Sequence, residues 1–351
     1  MTTTTGTALR DDLALEIDAL RRERNAVILA HFYQHADIQD LADYVGDSLQ
    51  LSRQAAKVEA DVIVFAGVKF MAETAKLLNP TRAVVMPDPL AGCSLVDGCP
   101  PEKFAAWRAQ YPDHVVVTYV NSSVELKAMS DYTCTSSNAR QVIEAIPRDR
   151  PIIFAPDKNL GRWLAQVTGR ELLCWPGSCM VHEIFSERRI VELKEDHPDA
   201  PLLAHPECEE AVLRHADYIG STAGILKFAA SDPRAKFLIA TEANMLHAIS
   251  KQAAGKTLIP VPTTTGCACN ECPHMKRNTL EKVRDCLRDL RPQVEIDPAL
   301  RARAAPDRGH VPDLRRRRAD ARGLTGATRA PAAPGRGRLA RRPAALPRWV
   351  A

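Results

Sequence analysis

Short apolar runs rich in β-branched residues alternate along this chain with stretches of helical period. That alternation predicts parallel strands joined by crossover helices. The runs fall into three sets with one grammar. The first contains Ala26-Val-Ile-Leu-Ala30, Asp61-Val-Ile-Val-Phe65 and Ala83-Val-Val-Met86. The second contains His114-Val-Val-Val-Thr-Tyr119, Pro151-Ile-Ile-Phe154 and Leu172-Leu-Cys-Trp175. The third contains Pro201-Leu-Leu-Ala204, Lys236-Phe-Leu-Ile-Ala240 and Thr257-Leu-Ile-Pro-Val261. Helices are expected over 8–24, capped by Thr7, and over 71–78, 101–110, 181–195 and 279–290. The pattern predicts an α/β protein of three pseudo-threefold-related α/β/α modules, each with a small parallel sheet, around a central site. The expected boundaries are 1–113 for the first module with its N-terminal helix, 114–198 for the second and 199–298 for the third.

The polar residues follow the same repeat. The first strands run out at His31 and Tyr33, at Tyr119 and Asn121, and at His205 and Glu207. Ser48, Ser136, and Ser221 with Thr222 are expected to cap the next helices, where free N–H groups favour anions. The steps from His31 to Ser48, from Asn121 to Ser136 and from His205 to Ser221 agree to within two positions. Lys69, Lys158 and Glu242 follow these hydroxyls at a nearly constant spacing, and the two lysines are candidate anion contacts. Each module then delivers a cysteine: Cys93, Cys179 and Cys272. Ligands of open parallel sheets sit beyond the carboxyl ends of the strands. Three modules facing one axis would therefore bring all of these residues together. His205 and Glu207 form the best candidate proton-transfer pair, because imidazole titrates near neutrality and a carboxylate can orient it or act as base.

Composition and charge narrow the class. The net charge of +4 conceals two parts. Residues 299–351 hold fourteen Arg and three Asp, with no Lys or Glu, which leaves 33 basic and 40 acidic side chains in the body. The body implies no nucleic-acid partner. The Arg/Pro/Ala-rich tail has too few large apolar residues to fold alone and is expected to be disordered. No signal-peptide core and no run long enough to span a bilayer is present, so a cytoplasmic protein with no membrane partner is expected. In a reducing compartment, ten cysteines point to metal or catalysis rather than disulfides. Three of them crowd into Gly266-Cys-Ala-Cys-Asn-Glu-Cys-Pro273. A structural zinc site and an iron–sulfur cluster both suit such thiolates. The threefold pattern favours a cluster with one cysteine from each module. Its three thiolates would leave one iron open as a Lewis acid for dehydration chemistry. His182 or His274 remains an alternative fourth ligand, the roles of Cys267 and Cys269 stay open, and Cys99, Cys134, Cys174, Cys208 and Cys286 read as buried or incidental thiols.

The chain resembles the quinolinate synthase A family of bacterial NAD biosynthesis. The matching motifs are Ala30-His-Phe-Tyr-Gln34, Gly46-Asp-Ser-Leu49, Tyr119-Val-Asn-Ser-Ser123, Cys134-Thr-Ser-Ser-Asn-Ala139, Pro176-Gly-Ser-Cys179, His205-Pro-Glu-Cys208, Gly220-Ser-Thr222 and Cys267-Ala-Cys-Asn-Glu-Cys-Pro-His-Met275. They lie in order over residues 8–298, and the tail does not resemble the family. The resemblance implies a 4Fe–4S cluster held by Cys93, Cys179 and Cys272 where three α/β/α domains meet. It implies a transferase-type condensation of iminoaspartate with dihydroxyacetone phosphate to quinolinate, releasing phosphate and two waters. It also implies iminoaspartate supplied by L-aspartate oxidase or aspartate dehydrogenase. The family's catalytic residues match His31, Tyr33, Tyr119, His205 and Glu207. Its substrate-binding residues match His31, Ser48, Tyr119, Asn121, Ser136, His205, Glu207, Ser221 and Thr222. An iron–sulfur redox sensor or electron carrier, or another cluster-dependent hydro-lyase, is the alternative.

Overall fold

The computed structural model describes residues 3–304. Three four-stranded parallel sheets carry the chain, each flanked by helices. The first sheet holds β1 (Ala26–His31), β2 (Tyr44–Gly46), β3 (Val62–Ala66) and β4 (Ala83–Val85). The second holds β5 (Val115–Tyr119), β6 (Tyr132–Cys134), β7 (Ile152–Ala155) and β8 (Leu172–Cys174). The third holds β9 (Leu202–Ala204), β10 (Tyr218–Ile219), β11 (Lys236–Ala240) and β12 (Thr257–Pro260). All three share one order, β2-β1-β3-β4, β6-β5-β7-β8 and β10-β9-β11-β12. The central strands are buried on both faces, which is why their sequences are near-continuous apolar runs.

β2, β6 and β10 are two or three residues long and leave no readable pattern in the sequence. A repeated side-chain clasp holds them in place. Asp43 accepts a hydrogen bond from the Ile28 amide, Asp131 from Val116 and Asp217 from Leu202, each at 2.8 Å. The backbone of each aspartate returns the bond, Asp43 N–H to Ile28 O, Asp131 to Val116 and Asp217 to Leu202. Every clasp bridges the same sequence separation and closes the crossover between the first strand and its edge partner. It also sets the repeat in register, making His31, Tyr119 and His205 equivalent. The step from these to Ser48, Ser136 and Thr222 is then identical in every module. An alignment of Asn121 with His31, or of Ser221 with Ser48, is therefore off by two positions and by one.

Helix boundaries differ where capping decides them. The N-terminal helix runs from Thr3 to Glu23, so Thr7 is not its cap. The helix expected over 181–195 begins at Glu187, where Ser186 caps it through the Arg189 amide. The expected tail starts with a helix, Pro298–Ala304. Its Ala304 packs with Leu49, Leu77 and Val124, and Leu300 and Ile296 lie against the same cluster. Residues 305–351 lie outside the described residues. No described helix is long and apolar enough to cross a membrane.

Losing the clasp acceptor should cost about 1 kcal/mol, the usual net worth of an intramolecular hydrogen bond. Asp131→Ala should accordingly lower the urea midpoint at unchanged m-value, while Asp149→Ala on the exposed surface should not. Equal midpoints for the two variants would contradict the role of the clasp.

Candidate functional site

The carboxyl ends of the three sheets enclose one cavity, and each module lines it with four of the residues singled out from sequence. The first contributes His31, Tyr33, Ser48 and Cys93; the second Tyr119, Asn121, Ser136 and Cys179; the third His205, Glu207, Thr222 and Cys272. By the register of the clasps these form repeated rings: His31, Tyr119 and His205; Tyr33, Asn121 and Glu207; Ser48, Ser136 and Thr222; and the three cysteines.

Of the candidates matched to the family's substrate-binding residues, Ser221 is the one that does not line the cavity. It is the equivalent of Asp47 and caps the helix Thr222–Ser231 through the Gly224 amide. Its hydroxyl lies 2.7 Å from Ser137 Oγ, which in turn donates to Asp47 Oδ2 at 2.6 Å. These three residues, one from each module, join the modules behind the hydroxyl ring. Two expected caps also move. Asp47, not Ser48, caps the helix Ser48–Ala55, in a capping box with Gln50. Ser136 precedes the helix Ala139–Ala145, in a turn where Asn138 Oδ1 accepts from the Thr135 amide. Lys69 and Lys158 are absent from the lining. Lys69 faces Glu73, and Lys158 donates to Glu183 at 2.6 Å, so neither amino group is directed at the cavity.

The polar core of the site is a closed hydrogen-bond network. Tyr119 donates to Glu207 Oε1 at 2.6 Å. His182 Nδ1 lies 2.9 Å from Glu207 Oε2, and its Nε2 lies 3.1 Å from Thr241 Oγ1. Thr241 Oγ1 is also 2.9 Å from Tyr33 Oη. His182 thus bridges Glu207 and Thr241, Thr241 extends the contacts to Tyr33, and His182 Nδ1 also lies 3.2 Å from Cys179 Sγ. The His182 ring stacks on His205 at 4.7 Å. Thr241 has no sequence signal beyond its place at a strand end.

Burial sets the protonation states. It lowers His31 and His205 to about 3, so both imidazoles are neutral near pH 7. Each Nδ1 faces the backbone amide two residues on, Tyr33 at 3.1 Å and Glu207 at 3.4 Å, which leaves the proton on Nε2. Burial, reinforced by the Glu207 charge, pushes Tyr33 and Tyr119 well above the usual phenol range, so both keep their protons. Burial would also raise Glu207, but the hydrogen bonds from Tyr119 and His182 oppose it, and the carboxyl is held below the usual carboxylate range.

Cys93, Cys179 and Cys272 are half-buried, free and in the same packed cluster. Burial raises Cys93 to about 12, Cys272 to about 11 and Cys179 well above the usual thiol range. All three line the same cavity. Such thiols ionise when a metal replaces their protons. A second observation fits a bound group: the buried Oδ1 of Asn121, a cavity residue, has no hydrogen-bond partner. The donor set therefore suits a metal cluster. Cys179, His182 and Glu207 also bring ligand atoms within 4.8 Å of one another, but His182 and Glu207 already satisfy each other. Cys267 and Cys269 are joined to one another by a disulfide, which leaves Cys272 as the free thiol of its loop.

Comparison with known proteins agrees with this geometry. A family model described as Quinolinate synthetase A protein matches residues 15–307. A protein of Microcystis aeruginosa named quinolinate synthase is 58% identical over 301 residues, covering 86% of this chain and 94% of that protein. One of Trichormus variabilis with the same name is 56% identical over 293 residues, covering 84% of this chain and 90% of that protein. On the match across both the modules and the site, the chain belongs to the quinolinate synthetase A protein family.

Proposed function

We propose that this chain is a quinolinate synthase, condensing iminoaspartate with dihydroxyacetone phosphate to quinolinate with release of phosphate and two waters. The observation that carries the proposal is the set of threefold rings: three free cysteines beside rings of hydroxyl, imidazole and carboxylate groups in one cavity. Cys93, Cys179 and Cys272 would hold a 4Fe–4S cluster. When bound through three thiolates, such a cluster supplies a Lewis-acidic iron suited to the loss of water.

The chain's own groups account for the rest of the chemistry. Both substrates are anionic. Ser48 and Thr222 are the first residues of their helices, so hydroxyl and amide donors face bound carboxylate or phosphate together with Ser136. His31 and His205 present Nε2–H as neutral donors that orient substrate oxygens without adding charge. Glu207, ionised and beside Tyr119, is the base that takes a proton as the carbon–carbon bond forms. Tyr33 and Tyr119, kept protonated by burial, return protons to leaving hydroxyls.

Anaerobically loaded protein supplied with both substrates should form quinolinate, and loaded protein that forms none would overturn the assignment. Alanine at Cys93, Cys179 or Cys272 should abolish cluster binding and turnover, whereas Cys286→Ala should retain the cluster, since Cys286 is buried against the N-terminal helix. Retention of a full cluster by any of the first three would remove that residue from the ligand set.

The buried imidazoles give a pH signature in cluster-free protein. Their folded pKa, about 3, lies below the unfolded value of 6.5. The unfolded chain therefore binds the proton first, and stability present above pH 6.5 should be lost as pH falls toward 3. In urea titrations His31→Asn should flatten this slope by up to about 1.4 kcal/mol per pH unit. An unchanged slope would show that His31 is not held neutral.

A further inference from the structure

The three cysteine loops are tied to their sheets by one repeated backbone bond, and one loop has an additional tie. In each module a residue just past the exit of β3, β7 or β11 donates its N–H to the carbonyl two positions before the cysteine. The bonds are Lys69 to Ala91 at 2.7 Å, Lys158 to Gly177 at 2.8 Å and Ala243 to Asn270 at 3.0 Å. The residues preceding these donors, Val68, Asp157 and Glu242, are equivalent in the repeat.

Their side chains act differently. Val68 is apolar core. Asp157 caps its own helix through the Leu160 amide. Glu242, fully buried, accepts at Oε1 from the Cys272 amide at 3.1 Å and from Asn244 Nδ2 at 3.0 Å, and at Oε2 from the Asn244 amide at 2.8 Å. Among the described residues, Cys272 is the one of the three whose N–H is bound by a side chain. Its loop is also the longest. Cys272 stands farther along the chain from the end of β12 at Pro260 than Cys93 does from Val85 or Cys179 from Cys174, the ends of β4 and β8. That loop alone carries three cysteines: Cys272 is its free thiol while Cys267 and Cys269 are paired, and reduction of the pair would release two competing ligands unless the backbone is fixed at Cys272.

We infer that Glu242 is the positioning residue that selects Cys272, rather than Cys267 or Cys269, as the third cluster ligand. The inference rests on the reading of the cavity as a cluster site. Oε1 of Glu242 holds the Cys272 amide against the exit of β11, while Asn270 anchors the preceding residues through Val181 O at 2.6 Å. Together they bring this thiol, and not its neighbours, to the level of Cys93 and Cys179. Residues that orient metal ligands in this way typically change metal affinity by about 10- to 100-fold when removed.

The test uses full-length protein loaded anaerobically, with iron and sulfide per chain measured and free thiols mapped by alkylation. In the native sequence Cys93, Cys179 and Cys272 should be protected together. Glu242→Ala should lower cluster affinity by about 10-fold or more and expose Cys272 to alkylation while Cys93 and Cys179 stay protected. Glu242→Gln, which keeps an acceptor oxygen for the Cys272 amide, should lose less iron than Glu242→Met, which fills the space without one, a difference that a purely space-filling role would not give. If Glu242→Ala does not fold, Glu242→Met decides: faster alkylation of Cys272 than of Cys93 and Cys179 supports the inference, and equal protection overturns it. Full iron with Cys272 protected in Glu242→Ala would also overturn it. Native protein that binds no iron would instead overturn the cluster reading itself.

Discussion

A carboxylate that accepts one backbone amide across the first crossover of each module is the constraint on which the cavity depends. Asp43, Asp131 and Asp217 each make this bond, and each thereby fixes where an edge strand begins relative to the strand beside it. Strand register changes in single-residue steps, and a slip of one residue would turn every polar side chain at a strand exit away from its present direction. Because all three modules use the same clasp, the exits align three times over. The outcome is a stack of rings, with histidine or tyrosine, then tyrosine, asparagine or glutamate, then hydroxyls, then cysteines.

So many buried polar groups are tolerable only because almost all of them are paired or neutral. An unpaired buried charge would cost several kcal/mol. Here Glu207 is held by Tyr119 and His182, Tyr33 reaches His182 through Thr241, and His31 and His205 give up their charge. In the cavity the thiols, driven up by burial, are neutral as well, and the amide oxygen of Asn121 is the polar atom without a partner among them. These are the groups that gain most from a metal cluster and a polar substrate. The network also holds the hydroxyl and imidazole donors of the cavity wall in fixed positions relative to one another.

Much of this is legible in the sequence, and the rest fails for physical reasons. Fully buried strands such as Val62–Ala66 and Val115–Tyr119 announce themselves by continuous apolar runs, and cysteines at matched strand ends announce a shared centre. The edge strands do not, because two or three residues carry no period. The phase of the repeat is ambiguous at Ser221 because serine and threonine stand side by side and either can cap a helix. Only the clasp identifies Thr222 as the partner of Ser48 and Ser136. The clasp aspartates are visible, in Ala42-Asp-Tyr44, Ser130-Asp-Tyr132 and Ala216-Asp-Tyr218, yet their meaning depends on an amide in the preceding strand. His182, Thr241 and Glu242 share that difficulty: each acts on a residue distant in the chain.

The central claim is that the repeat supplies three thiolates, one from each module, so that one iron of the cluster is left for substrate. The Mössbauer spectrum of protein loaded with isotopically enriched iron, recorded with and without a substrate-like dicarboxylate, tests this most directly. The account predicts a four-iron cluster in which a single iron site changes when the dicarboxylate binds. Four irons that all remain unchanged, or a single mononuclear iron, would contradict it.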